Sequence, residues 1–153
     1  MNENGTGKIE IEIVVKKLED ESLKESFGKI LKEKFFDDKY IDEKTKNLFN
    51  DQFLLQPFLF DDSLFLKDEH KGKDEITLFI GFSEKGINLN DNDNVKFLFI
   101  ISFPTDLKNK YLEILGYLKR LLSSKNFKQR ILNSKDEMEM KETFEKELKD
   151  LET

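Results

Sequence analysis

Residues 95–122 constrain the fold of this chain most, because a buried strand leads there through a turn into a helix. Residues 95–103 (VKFLFIISF) are almost continuously apolar, and such runs are typical of strands covered on both faces. Pro104 opens the turn, and residues 107–123 then repeat apolar side chains at helical spacing. The segment therefore predicts a sheet strand followed by an amphipathic helix that packs on the sheet.

Three further segments of the 153-residue chain have strand patterns. Alternating side chains predict a half-buried strand at residues 9–15, and a short apolar run predicts a buried strand at residues 76–81. A broken aromatic run predicts a hairpin or two short strands within residues 52–66. Because apolar residues are consecutive at 76–80 and 97–101, these two stretches should be the most buried parts of the sheet.

Helical patterns lie between and after the strands. The first helix is predicted at residues 21–35, with Asp20 or Ser22 as its cap, and a short second helix begins at Asp42 and carries Leu48 and Phe49. A third helix is predicted at residues 107–123. Two more follow: a short helix capped by Asn126 and a last helix that begins at Ser134 or Asp136. Turns and loops are predicted at residues 37–39, 67–75, 84–86 and 88–94.

The order of these elements predicts the fold class. Residues 1–7 are interpreted as a flexible leader, since they contain two glycines, and residues 8–153 as a single domain. Strands interspersed with helices indicate an α/β fold: a mixed, mostly central β-sheet of about five strands, flanked by helices on both faces.

Composition excludes several classes of function. The net charge of −6 argues against general nucleic-acid binding, which relies on clustered lysine and arginine. Without cysteine the chain has no disulfide, no thiolate metal site and no cysteine nucleophile. The longest apolar run, residues 97–101, is too short to cross a bilayer, and the N-terminus does not resemble a signal peptide. A cytoplasmic location is expected, either as a free protein or as the cytosolic domain of a membrane protein.

No motif predicts a metal or a cofactor. Asp61 and Asp62, with Asp91 and Asp93, suggest carboxylate ligands for Ca²⁺ or Mg²⁺, but the second pair lacks the glycine and terminal glutamate of an EF-hand loop. An Asx-rich turn explains that composition better. No Gly-rich phosphate loop, Ser/His/Asp set or paired-carboxylate motif is present either. The sequence therefore predicts no metal and no cofactor.

In their order these elements resemble enzyme IIA of the mannitol/fructose type from the bacterial sugar phosphotransferase system, whose nitrogen-regulatory relative shares its architecture. The resemblance covers roughly residues 18–150. It is best over residues 95–132, where strand, proline turn, leucine-rich helix and short terminal helix keep the family's spacing. Residues 19–49 also fit, as a helix, an acidic turn and a short helix.

The resemblance implies a phosphate-accepting histidine, which in the family follows a proline and shortly precedes a strand ending in glycine. A second family histidine begins the helix after the proline turn. Counting back without gaps from the strand ending in Gly81 places Leu66 at the nucleophile and Phe65 at the proline, while Tyr111 stands at the second histidine. Leucine has no nucleophilic nitrogen, and tyrosine cannot replace an imidazole near neutral pH. No catalytic residue is therefore predicted, and the chain is interpreted as a degenerate copy.

His70, the single histidine of the chain, is the fallback candidate for a phosphate acceptor. An imidazole accepts a phosphoryl group when a neighbouring group holds its tautomer. Its sequence neighbours are polar, however, and predict an exposed mobile loop, in which a solvated histidine without a function is the simpler interpretation.

These observations predict a non-catalytic enzyme IIA-like regulatory or interaction domain. The association of such domains with transport makes a protein partner the expectation, either a membrane transporter such as a cation/proton antiporter or a phosphotransferase component. Neither nucleic acid nor direct membrane insertion is expected. Two alternatives stay open. One is an active phosphocarrier that is phosphorylated on His70, and the other is a sensor that binds a small ligand in the cleft of the family's active site. The aromatic residues 53–65 are expected to be core, or else an exposed patch for the partner.

Overall fold

The computed structural model describes residues 9–19, 22–54, 58–60, 62–72, 75–89 and 94–152, with backbone only over 48–54 and 58–60. The strands are β1 (Ile11–Lys17), β2 (Phe58–Phe60), β3 (Ser63–His70), β4 (Ile76–Asn88) and β5 (Asn94–Pro104). The helices are α1 (Leu23–Leu31), α2 (Asp38–Leu54), α3 (Lys108–Leu122), α4 (Lys125–Leu132) and α5 (Glu137–Leu148). Two short 3-10 helices, Thr105–Leu107 and Lys149–Leu151, precede α3 and follow α5.

The five strands form one mixed sheet in the order β1-β4-β5-β3-β2. Parallel pairs join β1 to β4 and β3 to β5, whereas β4 with β5 and β2 with β3 are antiparallel. Helices cover both faces, so the predicted fold class is confirmed. The hairpin prediction for residues 52–66 is confirmed by β2 and β3, although residues 52–54 belong to α2.

Two apolar cores lie on the two faces of the sheet, because successive strand residues point to opposite sides. Phe97 and Phe99 face the first core, with Phe144 of α5. Leu98 and Ile100 face the second core, with α1. Every side chain from residue 97 to 101 is fully buried, and residues 76–80 are at most 3% exposed. The prediction that these two stretches are the most buried parts of the sheet is confirmed within the described residues.

Polar caps set the helix starts. Ser22 and Glu25 form a reciprocal capping box at α1, in which the Ser22 hydroxyl accepts from the Glu25 N–H at 3.2 Å. Asp136 caps α5 as predicted. The cap of α4 is Ser124, so the prediction of Asn126 was wrong by two residues. Both are hydrogen-bonding side chains, and sequence alone does not decide between neighbouring caps.

The turn predicted at residues 37–39 is wrong. Here Asp37 accepts hydrogen bonds from the Lys39 and Tyr40 N–H groups at 3.0 and 3.4 Å, and α2 begins at Asp38. Asp42 therefore lies inside one 17-residue helix and does not cap a short one.

The exposed loop predicted at residues 67–75 is also wrong over its first half. β3 continues through Lys67 to His70 and pairs in parallel with residues 101–104 of β5. The backbone hydrogen bonds of this part of β3 come from β5, which is distant in the sequence. Because that pairing overrides the weak strand preference of polar residues, the local sequence did not predict the strand.

The turn predicted at residues 84–86 is an irregularity within β4, which continues to Asn88. Gly86 has φ of 98°, which glycine adopts without strain, and the Ser83 hydroxyl accepts from its N–H at 3.1 Å. The predicted loop 88–94 is shorter than expected, since Asn88 pairs with Asn94.

Several predictions fall outside the described part of the chain. These concern the leader 1–7, Asp20, Asp61, Asp91 and Asp93, and the side chains of Leu48, Phe49 and Phe58. The division into a leader and one domain stays a prediction.

Candidate functional site

A cleft of about 290 Å³ lies at the carboxyl ends of the parallel strands β3 and β5, beside the start of α2. Open α/β sheets commonly bind ligands at the carboxyl ends of parallel strands. The wall combines basic, aromatic and hydroxyl side chains, among them Lys34, Phe35, Tyr40, Lys44, His70 and Ser102. We call this feature the β3–β5 cleft.

The alternation of β3 places polar side chains in the cleft. Leu64 and Leu66 point to the face covered by α1 and are buried there. Because strand side chains alternate, Asp68 and His70 continue the same row beyond the apolar core. The cleft is thus the polar end of the second core.

An ion pair within hydrogen-bond distance ties three elements together at the cleft. Lys44 Nζ of α2 donates to Asp68 Oδ2 at 2.8 Å, and Ser102 Oγ of β5 donates to the same oxygen at 2.9 Å. The Lys44 and Asp68 side chains are only 16% and 13% exposed. A charged pair at this depth is stable because each charge has a hydrogen-bonded partner.

A second lysine lies at the cleft wall. Lys34 donates hydrogen bonds to Glu12, Glu75 and Thr77. Burial would lower the pKa of Lys34, but the hydrogen bonds to the two carboxylates outweigh it and raise that pKa above 10.5. The same contact, followed by the charge of Lys34, holds the pKa of Glu75 below 4.5. Both groups are therefore charged near neutral pH.

His70 is half-buried at the end of β3. Its Nδ1 accepts a hydrogen bond from the Gly72 N–H at 3.0 Å, and its carbonyl oxygen accepts from the Thr105 hydroxyl at 3.3 Å. A ring nitrogen that accepts from an N–H carries no proton, so neutral His70 holds its proton on Nε2. The imidazole therefore presents an N–H donor from Nε2.

Tyr111 lies on the opposite face of the sheet. Its ring stacks on Phe103 with the centroids 4.4 Å apart, among the residues of the first core. Burial raises the pKa of the Tyr111 hydroxyl. By the pairing of β3 with β5, Lys67 and Glu69 share the face of Phe103, whereas Leu66 and His70 do not.

The sequence-predicted site residues are thus distributed over two faces. Leu66 is 1% exposed within the second core, and Phe65 stacks on Phe99 with centroids 4.9 Å apart in the first. The structure does not bring Leu66 or His70 together with Tyr111. His70 instead shares the cleft wall with Lys34, Lys44 and Glu75, and Lys44 contacts Asp68. None of these four was predicted from the sequence as a site residue. Leu64, Leu66, Asp68 and His70 are two residues apart along the chain, so on a strand they share one face. This spacing was the sequence signal that places Asp68 on the same face as His70.

Comparison with known proteins places the chain in a family. The model described as "Phosphoenolpyruvate-dependent sugar phosphotransferase system, EIIA 2" matches residues 67–147, more than half of the chain. The chain belongs to this family. The match begins one residue after Leu66 and includes both His70 and Tyr111. The predicted resemblance is confirmed at this level, while the mannitol/fructose type and the loss of the site stay predictions.

The fold is also known from a solved structure. The crystal structure of nitrogen regulatory protein IIA-Ntr from Neisseria meningitidis is similar with a TM-score of 0.66 and 20% sequence identity, over 90% of this chain and 97% of that chain. At this identity the similarity shows the fold. No curated protein matches the chain.

The part of the chain that the structure describes contains neither a candidate metal site nor a candidate membrane-spanning helix. Outside the undescribed stretches, no three or more His, Cys, Asp or Glu side chains are grouped so as to hold a metal ion. Over the same part of the chain, no helix combines the length and apolar character needed to cross a membrane.

Proposed function

We propose that this chain is a non-catalytic enzyme IIA-like regulatory domain that acts by binding a protein partner. It carries no phosphate in this proposal. The partner is a membrane transporter, for example a cation/proton antiporter, or a phosphotransferase component, and the chain works on the cytoplasmic side as a free protein or as the cytosolic domain of a membrane protein.

The state of the only histidine carries the proposal. His70 is the one imidazole in the sequence, and its Nδ1 lone pair is engaged by the Gly72 N–H. Neutral His70 then has its proton on Nε2, so neither ring nitrogen offers a free lone pair to phosphorus. Phosphotransfer would require the ring to break the Gly72 contact and turn. At the position matched to the family nucleophile, Leu66 offers no nitrogen.

A phosphotransfer assay tests this proposal. The chain is incubated with phosphoenolpyruvate, enzyme I and the general carrier protein, and intact mass reports any added phosphoryl group. IIA-Ntr from Neisseria meningitidis serves as a parallel reaction, and His70→Ala as the matched variant. We expect no phosphoryl group on either form of the chain. Acid-labile phosphate on the wild type that is absent from His70→Ala would overturn the proposal.

One observation favours the second candidate, an active phosphocarrier that uses His70. The cleft places Lys44 at the same wall as His70, and its ammonium group would stabilise a phosphoryl group on the imidazole. This candidate predicts that Lys44→Met lowers the phosphorylation rate by tenfold or more while Lys110→Met does not. The phosphotransfer assay above decides between the two.

The family and an exposed side chain support a protein partner. The family takes its name from a sugar phosphotransferase system, and the similar solved structure is that of a nitrogen regulatory protein. Phe36, at 91% exposed, is the most exposed large apolar side chain of the described residues, and aromatic side chains are enriched at protein–protein interfaces.

A transport assay tests the partner. Proteoliposomes that contain the cation/proton antiporter of the same organism are assayed for cation-driven proton flux with and without the chain. We expect a change of at least twofold and its loss in Phe36→Ser, with Met138→Ser, another exposed apolar residue, as the control. An unchanged flux together with no retention of the chain on the vesicles would contradict the antiporter as partner.

A further inference from the structure

We propose that the outer edge of β1 is a docking surface for a second copy of this chain, whose own β1 adds antiparallel to it about Val14. Glu137 and Glu152 limit this pairing to the middle of the strand. The inference goes beyond the proposed function, since it needs neither a different protein partner nor any particular state of His70. It rests on the backbone groups and the charges at this edge.

β1 has a neighbouring strand on one side only. It lies at one end of the sheet and, among the described strands, pairs with β4 alone. Leu18, directly after β1, donates its N–H to the carbonyl oxygen of Phe82 in β4. Because backbone groups of successive strand residues point to opposite sides, the even-numbered residues of β1 bond to β4. The odd-numbered residues from 9 to 17 therefore point their N–H groups outwards.

The chain itself covers the two ends of this outward row. The N–H groups of Ile9 and Ile11 donate to the carbonyl oxygen and the Oε2 of Glu152, both at 2.9 Å. At the other end, the Lys17 N–H donates to Glu137 Oε2 at 2.6 Å. Cover of this kind protects a sheet edge from pairing with another chain. Here the protection stops at Ile11 and resumes only at Lys17.

The middle of the edge is open. Within the part of the chain that the structure describes, no hydrogen bond reaches the outward N–H groups of Ile13 and Val15. A cavity of about 220 Å³ lies beside this stretch, with apolar and charged side chains in its lining: Ile11, Ile13, Glu145, Leu148, Lys149 and Glu152. An added strand would supply the hydrogen-bond partners that the two open residues lack.

The sequence of β1 favours a second copy as the added strand. In the proposed register Ile13 of one copy faces Val15 of the other, and the two residues exchange backbone hydrogen bonds. The same register places Glu12 opposite Lys16 of the second copy, and two-fold symmetry repeats this contact. Opposite charges at facing positions stabilise antiparallel strands. Glu10 faces an uncharged residue, so no like charges meet along the two strands.

The contacts on the α1 side agree with this register. In each copy Lys34 contacts Glu12 and Glu75. Lys16 Nζ lies 3.6 Å from Glu33 Oε2. When Glu12 meets Lys16 of the second copy, these side chains form one row in which each charge has only opposite charges beside it. Because most of them are exposed, each contact is weak, and the backbone hydrogen bonds are needed as well.

The charges on the α5 side keep the pairing short. Extending it would bring Glu137 of one copy close to Glu152 of the other, and both would have to release the N–H groups that they bind. Among the side chains that bond to the edge or line the cavity, Lys17 and Lys149 add two ammonium groups there, and Glu145 adds a third carboxylate. The excess of negative charge opposes further pairing, so the dimer should be weak.

Sedimentation velocity and amide hydrogen exchange over a series of protein concentrations test the inference. We expect a monomer–dimer equilibrium, in which the mean mass rises towards twice that of the monomer without heavier species. The amides of Ile13 and Val15 should gain protection as the concentration rises. The amide of Val14, which points to β4, should be equally protected at every concentration.

A charge swap tests the register. Lys16→Glu and Glu12→Lys each place like charges opposite each other in a dimer of identical copies, and each should weaken self-association about tenfold. An equimolar mixture of the two variants has opposite charges at both facing positions, and its association should return to within about threefold of the wild type. Lys125→Glu, the same change of charge at an exposed residue of α4, is the control and should dimerise like the wild type.

Removing the two capping carboxylates tests the limit on the pairing. Glu137→Ala combined with Glu152→Ala removes the like charges and opens the N–H groups of Ile11 and Lys17. This double variant should dimerise at least tenfold more strongly than the wild type, and these two amides should then gain protection with concentration. Glu142→Ala, at an exposed position of α5, is the matched control and should leave the dimerisation unchanged.

Three results would overturn the inference. The first is a monomer at every concentration for both the wild type and the double alanine variant, which would leave this edge to a strand of another protein. The second is a dimer that Lys16→Glu does not weaken. The third is protection of the Ile13 and Val15 amides that does not depend on concentration, which would show that the chain covers the whole edge itself.

Discussion

At the scale of single residues, the direction of each side chain on β3 determines which residues share a face of the sheet. His70 and Leu66 point to the face of α1, and Tyr111 packs on the other face. A histidine placed at Lys67 would lie on the face of Tyr111, one residue from the position that ungapped counting selected. One residue along a strand changes the face, and with it the environment of the side chain.

The first prediction concerns the pH dependence of stability through Glu75. Its hydrogen bond to Lys34 lowers the pKa in the folded state below 4.5, so the stabilisation is present above about pH 4.5 and is lost as the pH falls through the folded pKa. Because the side chain is 58% exposed, solvent screening limits the effect to less than about 1 kcal/mol.

Urea titrations of wild type and Glu75→Gln at neutral and acidic pH measure this effect. The difference in the free energy of unfolding should be largest at neutral pH and should approach zero well below pH 4.5. In a Lys34→Met background, Glu75→Gln should no longer produce a pH-dependent difference. A difference that grows on acidification would contradict the pairing.

The second prediction concerns Leu66, which is 1% exposed in the second core. Leu66→His places an imidazole without a polar partner among Leu64 and Ile100, which should lower the free energy of unfolding by about 1–3 kcal/mol. The variant should still fail to accept phosphate, because the ring would lie in the core and away from Tyr111. His70→Ala, on the same strand face, should change stability by less than about 1 kcal/mol. Phosphate on Leu66→His would show that this position faces a working site.

At the scale of elements, apolar periodicity predicted the strands and helices that bury a continuous face. This holds for β5 and α3, where the sequence carries its own burial signal. Apolar periodicity did not predict the end of β3, because its side chains are polar. That end is a strand because it pairs with residues 101–104 of β5. The β3–β5 cleft could not be predicted either, because Lys34, Lys44, Asp68 and Ser102 meet only after distant segments pair.

The third prediction concerns β5, the middle strand of the five, which has a core on each face. Ile100→Ala removes a fully buried side chain and should cost about 2–5 kcal/mol, the usual cost of a cavity in a packed core. Lys96→Ala, exposed on the same strand, is the control and should stay within about 0.5 kcal/mol of the wild type. Equal stabilities of the two variants would show that β5 is not central.

At the scale of the whole molecule, one sheet separates two apolar cores, which share no helix among the side chains that the structure describes. The first core holds α3, α4 and α5, and the second holds α1 and part of α2. β3, β4 and β5 contribute side chains to both, so the loss of either core exposes the same three strands. This arrangement predicts that the two cores unfold together.

The fourth prediction tests this coupling with one substitution in each core. Ile30 of α1 and Ile131 of α4 are fully buried on opposite faces, and Ile→Val at either position should cost about 0.5–1.5 kcal/mol. Because the sheet separates the two side chains, the double variant should show the sum of both costs within about 0.5 kcal/mol. Urea unfolding followed by far-ultraviolet and near-ultraviolet circular dichroism should give one coincident transition in all four proteins. Two separate transitions, with each substitution shifting only one of them, would show instead that each face of the sheet unfolds as its own unit.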